Sequence, residues 1–304
     1  MEPYEIVGVD VGNGLTKTVG SLFTSSVKNY GETKPSIMER TVYFEGSYYS
    51  VGGKRSKTKT DQKEDNTALI LTLAGLGEEF KRRHISPSNV IISEGLPLER
   101  CIEANQKFDE KYYRQGNTIN FEYEDTPYRI NIQKVFVNPQ GVAGIIDQIQ
   151  NIPETCLVID LGSWTMDVLL VMEGKPIIAE SKSLLSGVIT CMLKCNEEIR
   201  RRTGKEVLEE QIQKIMQGKT GILPPKYEDL IVENIRLYIK GLYDVLNENG
   251  YNIDTLPCVF LGGGAVVVRN FGGEKIFPVS TYYTDIHLNA KGYERIAAMK
   301  LRRK

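Results

Sequence analysis

Two short segments, half a chain apart, combine a carboxylate with closely spaced glycines. The first reads Val9-Asp10-Val11-Gly12-Asn13-Gly14-Leu15-Thr16-Lys17. Glycines allow a tight turn whose backbone N–H groups can approach a phosphate. Asp10, at the end of a strand-like run, is suited to hold a hydrated Mg²⁺, and Lys17 can place positive charge on phosphates. An ordinary hairpin turn would account for the same residues equally well.

The second segment repeats this arrangement as Val158-Ile159-Asp160-Leu161-Gly162-Ser163-Trp164-Thr165-Met166-Asp167. Again a strand-like run ends in an aspartate and a glycine-containing turn. Two such turns could hold a polyphosphate and its metal between Asp10 and Asp160. The pair is therefore a more specific signal than either turn alone.

A third segment, Val259-Phe260-Leu261-Gly262-Gly263-Gly264-Ala265, is a buried-looking strand followed by three glycines. Consecutive glycines cost backbone entropy, so they usually mark a close approach of the chain to something else. A nucleoside is one candidate, and the tight start of a helix is the other.

The elements that carry these turns follow from the hydrophobic pattern. Residues 6–18 and 157–168 both read as a strand, an Asp-x-Gly turn and a second strand. An internal repeat at half the chain length predicts two related domains around a cleft, where ligands commonly bind. The length of 304 residues is ample for two domains.

The remaining pattern predicts alternating strands and helices. Strands are expected as a pair in 41–51, as a buried strand in 90–94, and as three runs in 117–137. The polar stretch 54–66 is expected to be a loop. Helices are expected at 67–84, 101–114, 141–150, 187–203, 208–217, 227–249 and 290–301.

The order of these features resembles the five-motif pattern of the actin superfamily: phosphate turn, connector, phosphate turn, connector, adenosine turn. Asn138-Pro139-Gln140-Gly141-Val142-Ala143-Gly144 resembles the first connector, and Leu185-Ser186-Gly187-Val188 the second. The Pro139-Gln140-Gly141 form, the ending Leu288-Asn289-Ala290-Lys291-Gly292-Tyr293 and the compact length resemble plasmid-segregation actins of the ParM and StbA type.

This resemblance implies an α/β fold of two related actin-like, ribonuclease H-like domains around a nucleotide cleft. Domain I would span 1–150, with a C-terminal helix at about 281–304 packing back on it, and domain II would span 151–280. The implied ligands are ATP, with GTP as an alternative, and Mg²⁺ held by Asp10 and Asp160 largely through water.

The resemblance also implies roles for individual residues. Asp10, Asp160 and Gln140 would be catalytic, with Gln140 orienting the attacking water. Trp164 departs from the family pattern, which usually has a small residue or Thr there. The implied nucleotide-binding residues are Gly12, Asn13, Gly14, Thr16, Lys17, Gly162, Ser163, Trp164, Gly187, Gly262, Gly263, Gly264 and Ala265.

The implied function is a filament-forming ATPase that hydrolyses ATP slowly and drives plasmid DNA segregation. Its partners would be further copies of itself and a DNA-binding adaptor on a centromere-like plasmid site, without direct membrane contact. A monomeric small-molecule kinase, or another ATPase of the superfamily, is the alternative. The net charge of −1 excludes polyanion binding by bulk charge. Five cysteines without a disulfide spacing favour a cytoplasmic location.

Overall fold

A computed structural model describes residues 3–36, 39–53, 66–96 and 114–302. The chain forms two compact units. Unit 1 comprises Met1–Asp147 and His287–Lys304, and unit 2 comprises Gln148–Ile286. The predicted helix 101–114 and the predicted loop 54–66 lie outside the described residues, except for one residue at the end of each.

Regular elements alternate along the chain. The strands are β1 Glu5–Val11, β2 Leu15–Lys17, β3 Leu22–Thr24, β4 Val27–Asn29, β5 Thr41–Phe44, β6 Ser47–Val51, β7 Asn89–Leu96, β8 Thr118–Tyr123, β9 Thr126–Pro139, β10 Cys156–Leu161, β11 Met166–Met172, β12 Lys175–Leu184, β13 Cys258–Leu261 and β14 Ser280–Tyr283. The helices are α1 Thr67–Arg83, α2 Val142–Ile145, α3 Val188–Thr203, α4 Glu209–Met216, α5 Pro225–Glu248, α6 Gly262–Asn270, α7 Gly273–Ile276 and α8 Leu288–Arg302.

The same five-strand arrangement occurs in both units. In unit 1 the order β3-β2-β1-β7-β9 continues into β8, β5, β6 and β4, and in unit 2 the order is β12-β11-β10-β13-β14. In each case two antiparallel strands lie on one side of the first strand, β1 or β10. Two parallel strands lie on its other side. Both sheets are mixed, and the predicted α/β class is confirmed.

The central strands and the helices that pack on them are apolar where they are buried. All eight residues of β7 are buried, as expected for a parallel strand covered on both faces. In α1 the first ten residues after Thr67 are all buried, so this helix is a core element of unit 1. In unit 2 the long helix α5 buries one stripe, formed by Ile231, Ile235, Tyr238, Ile239, Leu242 and Leu246.

Two predicted elements are wrong in extent. The segment 117–137 contains two strands instead of three, because its polar residues alternate on the exposed face of the long strand β9 and do not mark a second turn. The predicted helix 141–150 is reduced to the four residues of α2. Within the described ranges, no helix combines the length and apolar character needed to cross a bilayer.

Candidate functional site

The first turn joins β1 to β2 and places two oppositely charged side chains next to each other. The Gly12 N–H donates to the Leu15 carbonyl over 3.2 Å, which closes the hairpin. Asp10 is opposite Lys17 in the strand pair, so both side chains lie on one face of the sheet. Lys17 Nζ donates to Asp10 Oδ2 over 3.0 Å. The Asp10 side chain is only 3% exposed, so this ion pair is largely shielded from solvent.

Gln140 reaches the same carboxylate from a distant part of the sequence. It follows the end of β9, and its backbone N–H continues the pairing with β7 by donating to the Leu96 carbonyl over 2.9 Å. Its side-chain Nε2 donates to Asp10 Oδ1 over 3.1 Å. Both oxygens of Asp10 therefore accept a hydrogen bond, one from Lys17 and one from Gln140. Three of the predicted site residues are brought together in unit 1.

Polar contacts behind the hairpin fix its position. The buried hydroxyls of Thr16 and Ser25 lie 2.8 Å apart, and the Ser25 N–H donates to the Gly14 carbonyl. Asn13 at the tip of the turn is exposed, whereas Gly14 is buried. Because the Thr16 hydroxyl is already engaged inside unit 1, its predicted contact with a nucleotide stays a prediction.

Glu79 on α1 is fully buried behind the hairpin. Its Oε1 accepts hydrogen bonds from the Thr18 hydroxyl over 2.6 Å and from the Gly20 N–H over 2.9 Å. Burial raises the pKa of this carboxyl, but the hydrogen bonds from Arg82, Thr18, Gly20 and Arg83 outweigh burial and lower the pKa to about 2. Glu79 is therefore ionised in the folded protein, and it anchors the strand that follows the turn.

Arg83 extends this network to the last helix. It donates to Glu79 Oε2 over 2.9 Å and to the Ile6 carbonyl over 3.0 Å, and it is ion-paired with Glu294 on α8. Glu294 Oε1 in turn accepts the Gly8 N–H over 3.1 Å. Burial raises the pKa of Glu294, and the nearby Arg83 partly offsets this rise. The network ties β1, which ends at the first turn, to both α1 and α8.

The second turn joins β10 to β11 in the same geometry. The Gly162 N–H donates to the Thr165 carbonyl over 2.9 Å, as Gly12 does to Leu15. Asp160 is opposite Asp167 in the strand pair, in the register that pairs Asp10 with Lys17. The Trp164 side chain is half-buried and packs against the core of unit 2. Unit 2 therefore repeats the first turn with a second carboxylate in the position of the lysine.

Sequence reasoning assigned no role to Asp167. Its side chain is buried, and Thr165 Oγ1 lies 3.5 Å from Asp167 Oδ2. The signal was present in the sequence, because Asp160 and Asp167 have the same seven-residue spacing as Asp10 and Lys17. A spacing of seven across a four-residue turn places two residues directly opposite each other.

Gly187 holds the start of α3 against the second turn. The Gly187 N–H donates to the Trp164 carbonyl, and those of Val188 and Ile189 donate to the carbonyls of Gly162 and Ser163, over 2.9–3.1 Å. A Cβ on Gly187 would lie 2.4 Å from the Ser163 carbonyl oxygen. Glycine is therefore required here by the close approach of two backbones, and a nucleotide contact for Gly187 stays a prediction.

The three glycines begin α6. Gly262 has φ of 74°, and a Cβ there would lie 3.5 Å from Asp160 Oδ1. A Cβ on Gly264 would lie 2.4 Å from the Leu161 carbonyl oxygen. Gly263 is exposed and has room for a Cβ, with its nearest neighbour, Ile286, at 3.4 Å. Backbone conformation and packing thus explain Gly262 and Gly264, and only Gly263 has no structural reason to be glycine.

In unit 2 the strand pairing gathers the remaining predicted residues. Asp160 is paired with Leu261 of β13, so the second turn and the start of α6 lie at one edge of the sheet. Ala265 is fully buried under this edge. Among the described residues, no group of three or more His, Cys, Asp or Glu side chains is placed to hold a metal ion. The donors present suit Mg²⁺, which needs only one or two carboxylates besides water and substrate phosphates.

Comparison with known proteins assigns this architecture to a class. Residues 8–142 match the family model described as the actin like proteins N terminal domain. This part of the chain is similar to an actin-like N-terminal domain, and the resemblance predicted from the sequence is confirmed. No curated protein sequence matches the chain closely enough to count as a relative.

Solved structures extend the likeness to the whole chain. The archaeal actin homolog Ta0583 has a TM-score of 0.75 at 22% identity, over 97% of this chain and 99% of that one. A Bacillus thuringiensis ParM with AMPPNP has a TM-score of 0.70 at 14% identity, over 98% and 99%. The Alp12 filament structure gives 0.67 at 17% identity, over 98% and 99%. The chain has the two-domain actin-like fold, and the solved proteins that share it include ParM and Alp12.

Proposed function

We propose that this chain is an ATPase that binds ATP with Mg²⁺, hydrolyses it slowly and forms filaments. The observation that carries the proposal is that the same turn is built on equivalent strands in both units. In unit 1, Lys17 and Gln140 both donate a hydrogen bond to the buried Asp10. The comparisons support it: Ta0583 was solved in complex with ADP, a ParM with AMPPNP, and Alp12 as a filament.

The residues of unit 1 have complementary roles in this proposal. The N–H groups of the turn at Gly12, Asn13 and Gly14 would bind phosphate oxygens, because successive backbone amides form an anion-binding concavity. Lys17 would place its charge on the same phosphates. Gln140 would orient the attacking water, and Asp10 would hold the Gln140 amide in place through the 3.1 Å hydrogen bond.

The residues of unit 2 would have roles that correspond to those of unit 1. The Gly162 to Trp164 turn would bind phosphate, Asp160 would hold Mg²⁺ largely through water, and Asp167 would add a second carboxylate beside it. The exposed Gly263 would lie against the adenosine. When bound, Mg²⁺ would supply charge stabilisation for the phosphates. Positioning and charge stabilisation are the main requirements of phosphoryl transfer, so this set of groups is chemically sufficient.

The biological role we propose is plasmid DNA segregation. The partners would be further copies of the chain and a DNA-binding adaptor on a centromere-like site. The protein would act in the cytoplasm.

The decisive experiment is sedimentation of the purified chain with and without ATP and Mg²⁺, together with phosphate release. We expect pelletable polymer only with nucleotide and Mg²⁺. Asp10→Asn should abolish both activities, whereas Asp125→Asn, the same change at an exposed site of unit 1, should leave both intact. A chain that hydrolyses ATP but stays monomeric at high concentration would refute the filament and favour a superfamily kinase. A chain that binds no nucleotide would refute the whole proposal.

A further inference from the structure

The exposed face of α5 in unit 2 carries four charged side chains that are segregated by sign. Asp229 and Glu233 lie on its N-terminal side, and Arg236 and Lys240 on its C-terminal side, all four exposed. Leu237 lies beside them and is 60% exposed. Together with Val232 and Ile276, these residues line a shallow groove of about 490 Å³. The α5 face, as we call this stripe, shares no residue with either turn of the candidate site.

At the four-residue spacing, this charge order places like charges next to each other on the helix. Residues four apart are neighbours on a helix surface, so Asp229–Glu233 and Arg236–Lys240 are both like-charge pairs, which destabilise a helix. Among the described residues, the one ion pair recorded for these four side chains joins Glu233 to Arg202 at 3.6 Å. An alternating order would have given favourable pairs at the same spacing. Glu233 and Arg236, three residues apart, are the oppositely charged neighbours within the stripe, and the segregated charges remain exposed to a partner.

The pattern is complementary to itself when reversed. Asp229 and Lys240 are equidistant from the 234–235 peptide bond, and so are Glu233 and Arg236. A second α5 helix, antiparallel and related by a two-fold axis through this point, brings Asp229 level with Lys240 of the other copy. It also brings Glu233 level with Arg236 of the other copy. The symmetry repeats each pair, so four oppositely charged pairs form at once.

The apolar residue fits the same symmetry. The two Leu237 side chains lie on the same side of the contact, about 8 Å apart along the helix axes at 1.5 Å per residue. That separation allows them to pack against each other and to remove the exposed part of each from water. We propose that the α5 face is a two-fold contact with a second copy of this chain.

The expected contact is weak when it acts alone. It spans twelve residues, or about 18 Å of helix, and so buries less than the roughly 1,200 Å² of a stable interface. It is also a closed contact, because a two-fold interface uses the same patch on both copies. It differs in this respect from a head-to-tail polymer contact, and it goes beyond the proposed nucleotide-driven polymerisation.

Charge exchange tests the pairing in nucleotide-free protein, so that failure of the proposed ATPase would not affect the result. Sedimentation equilibrium should detect a weak dimer of the parent chain. Asp229→Lys and Lys240→Asp should each weaken it about 10-fold, because each reversal turns two attractive pairs into repulsive ones. The double variant should recover the parent affinity, and Lys219→Asp, on another surface of unit 2, should change nothing. A monomeric parent, or a double variant no better than the singles, would overturn the proposal.

Disulfide formation tests the register. In the proposed contact, position 229 is level with 240 of the other copy, but the two 229 positions are about 16 Å apart. A disulfide needs Cα atoms within about 7 Å. An Asp229→Cys chain mixed with a Lys240→Cys chain should therefore form a cross-linked dimer, whereas either chain alone should not. Equal cross-linking in all three samples, or none in the mixture, would exclude this contact with a second copy.

Discussion

Glu79 offers the sharpest test of how unit 1 holds its turn. This side chain is fully buried, and it accepts hydrogen bonds from Thr18, Gly20, Arg82 and Arg83. Glu79→Gln keeps the shape of the side chain but removes its charge. Two arginines then lose their common partner, and an amide replaces one of the acceptor oxygens with a donor. Removal of one partner from a buried ion pair is strongly destabilising.

The pKa of Glu79 sets the size of the expected loss of stability and its dependence on pH. The pKa of Glu79 falls from the ordinary 4.5 to about 2, which corresponds to about 3 kcal/mol of stability at pH 7. Because the folded pKa is depressed, this contribution is present above pH 4.5 and is lost as the pH falls towards 2. Glu294 contributes to stability with the opposite pH dependence, since burial raises its pKa. The comparison must therefore be between parent and variant at each pH.

The assay is urea unfolding followed by far-UV circular dichroism. The only tryptophan, Trp164, lies in unit 2, so its fluorescence does not report on unit 1 directly. Glu79→Gln should lower the free energy of unfolding by about 3 kcal/mol at pH 7, and the difference should shrink below pH 4.5.

Glu198→Gln is the matched control. Hydrogen bonds from Arg201 and Arg202, partly opposed by burial, also lower the pKa of Glu198 to about 2. Its arginine partners are exposed, so solvent screens the pairs and the change should cost little. Equal losses in the two variants, or a Glu79→Gln loss that does not depend on pH, would refute the reasoning.

Three further changes probe the candidate site. Gln140→Ala should slow phosphate release by about 100- to 1000-fold while nucleotide affinity is retained, and an unchanged rate would remove Gln140 from the mechanism. Gly263→Val should abolish ATP affinity in a titration with an unchanged melting temperature, whereas Gly264→Ala should lower the melting temperature through its clash with the Leu161 carbonyl. Gly187→Ala should destabilise unit 2 by about 1–3 kcal/mol, measured by Trp164 fluorescence. Gly241→Ala, which has free space around its Cβ, should not.

The turns were predictable because their chemistry is local. An Asp followed by closely spaced glycines between two apolar runs predicts a hairpin from a dozen residues, and both hairpins are present. The two-domain fold was also predictable, because the same hairpin pattern occurs twice in the sequence. The meeting of Gln140 with Asp10 was not visible in the residues themselves, because it depends on the parallel pairing of β1, β7 and β9.

The predictions from the sequence were wrong or incomplete where one sequence pattern fits two different structures. The pattern in 117–137 predicted three strands separated by polar turns, but the polar residues at 129, 131 and 133 lie along one face of the continuous strand β9. The sequence predicts one common role for the three glycines, whereas the structure gives each a different environment. Gly262 has a left-handed backbone, Gly264 packs against Leu161, and only Gly263 remains open. Such distinctions depend on neighbours in space and cannot be derived from composition.

The discontinuity of unit 1 has a consequence for synthesis on the ribosome. Helix α8 belongs to unit 1, where Ala290 packs against Gly8 of β1 and Glu294 binds the Gly8 N–H. About 140 residues of unit 2 are translated before α8, which takes roughly 7 to 28 seconds at about 5–20 residues per second. Unit 2 is therefore the first to have its complete sequence outside the ribosome. The surface of β1 that receives α8 therefore lacks its native cover throughout that interval.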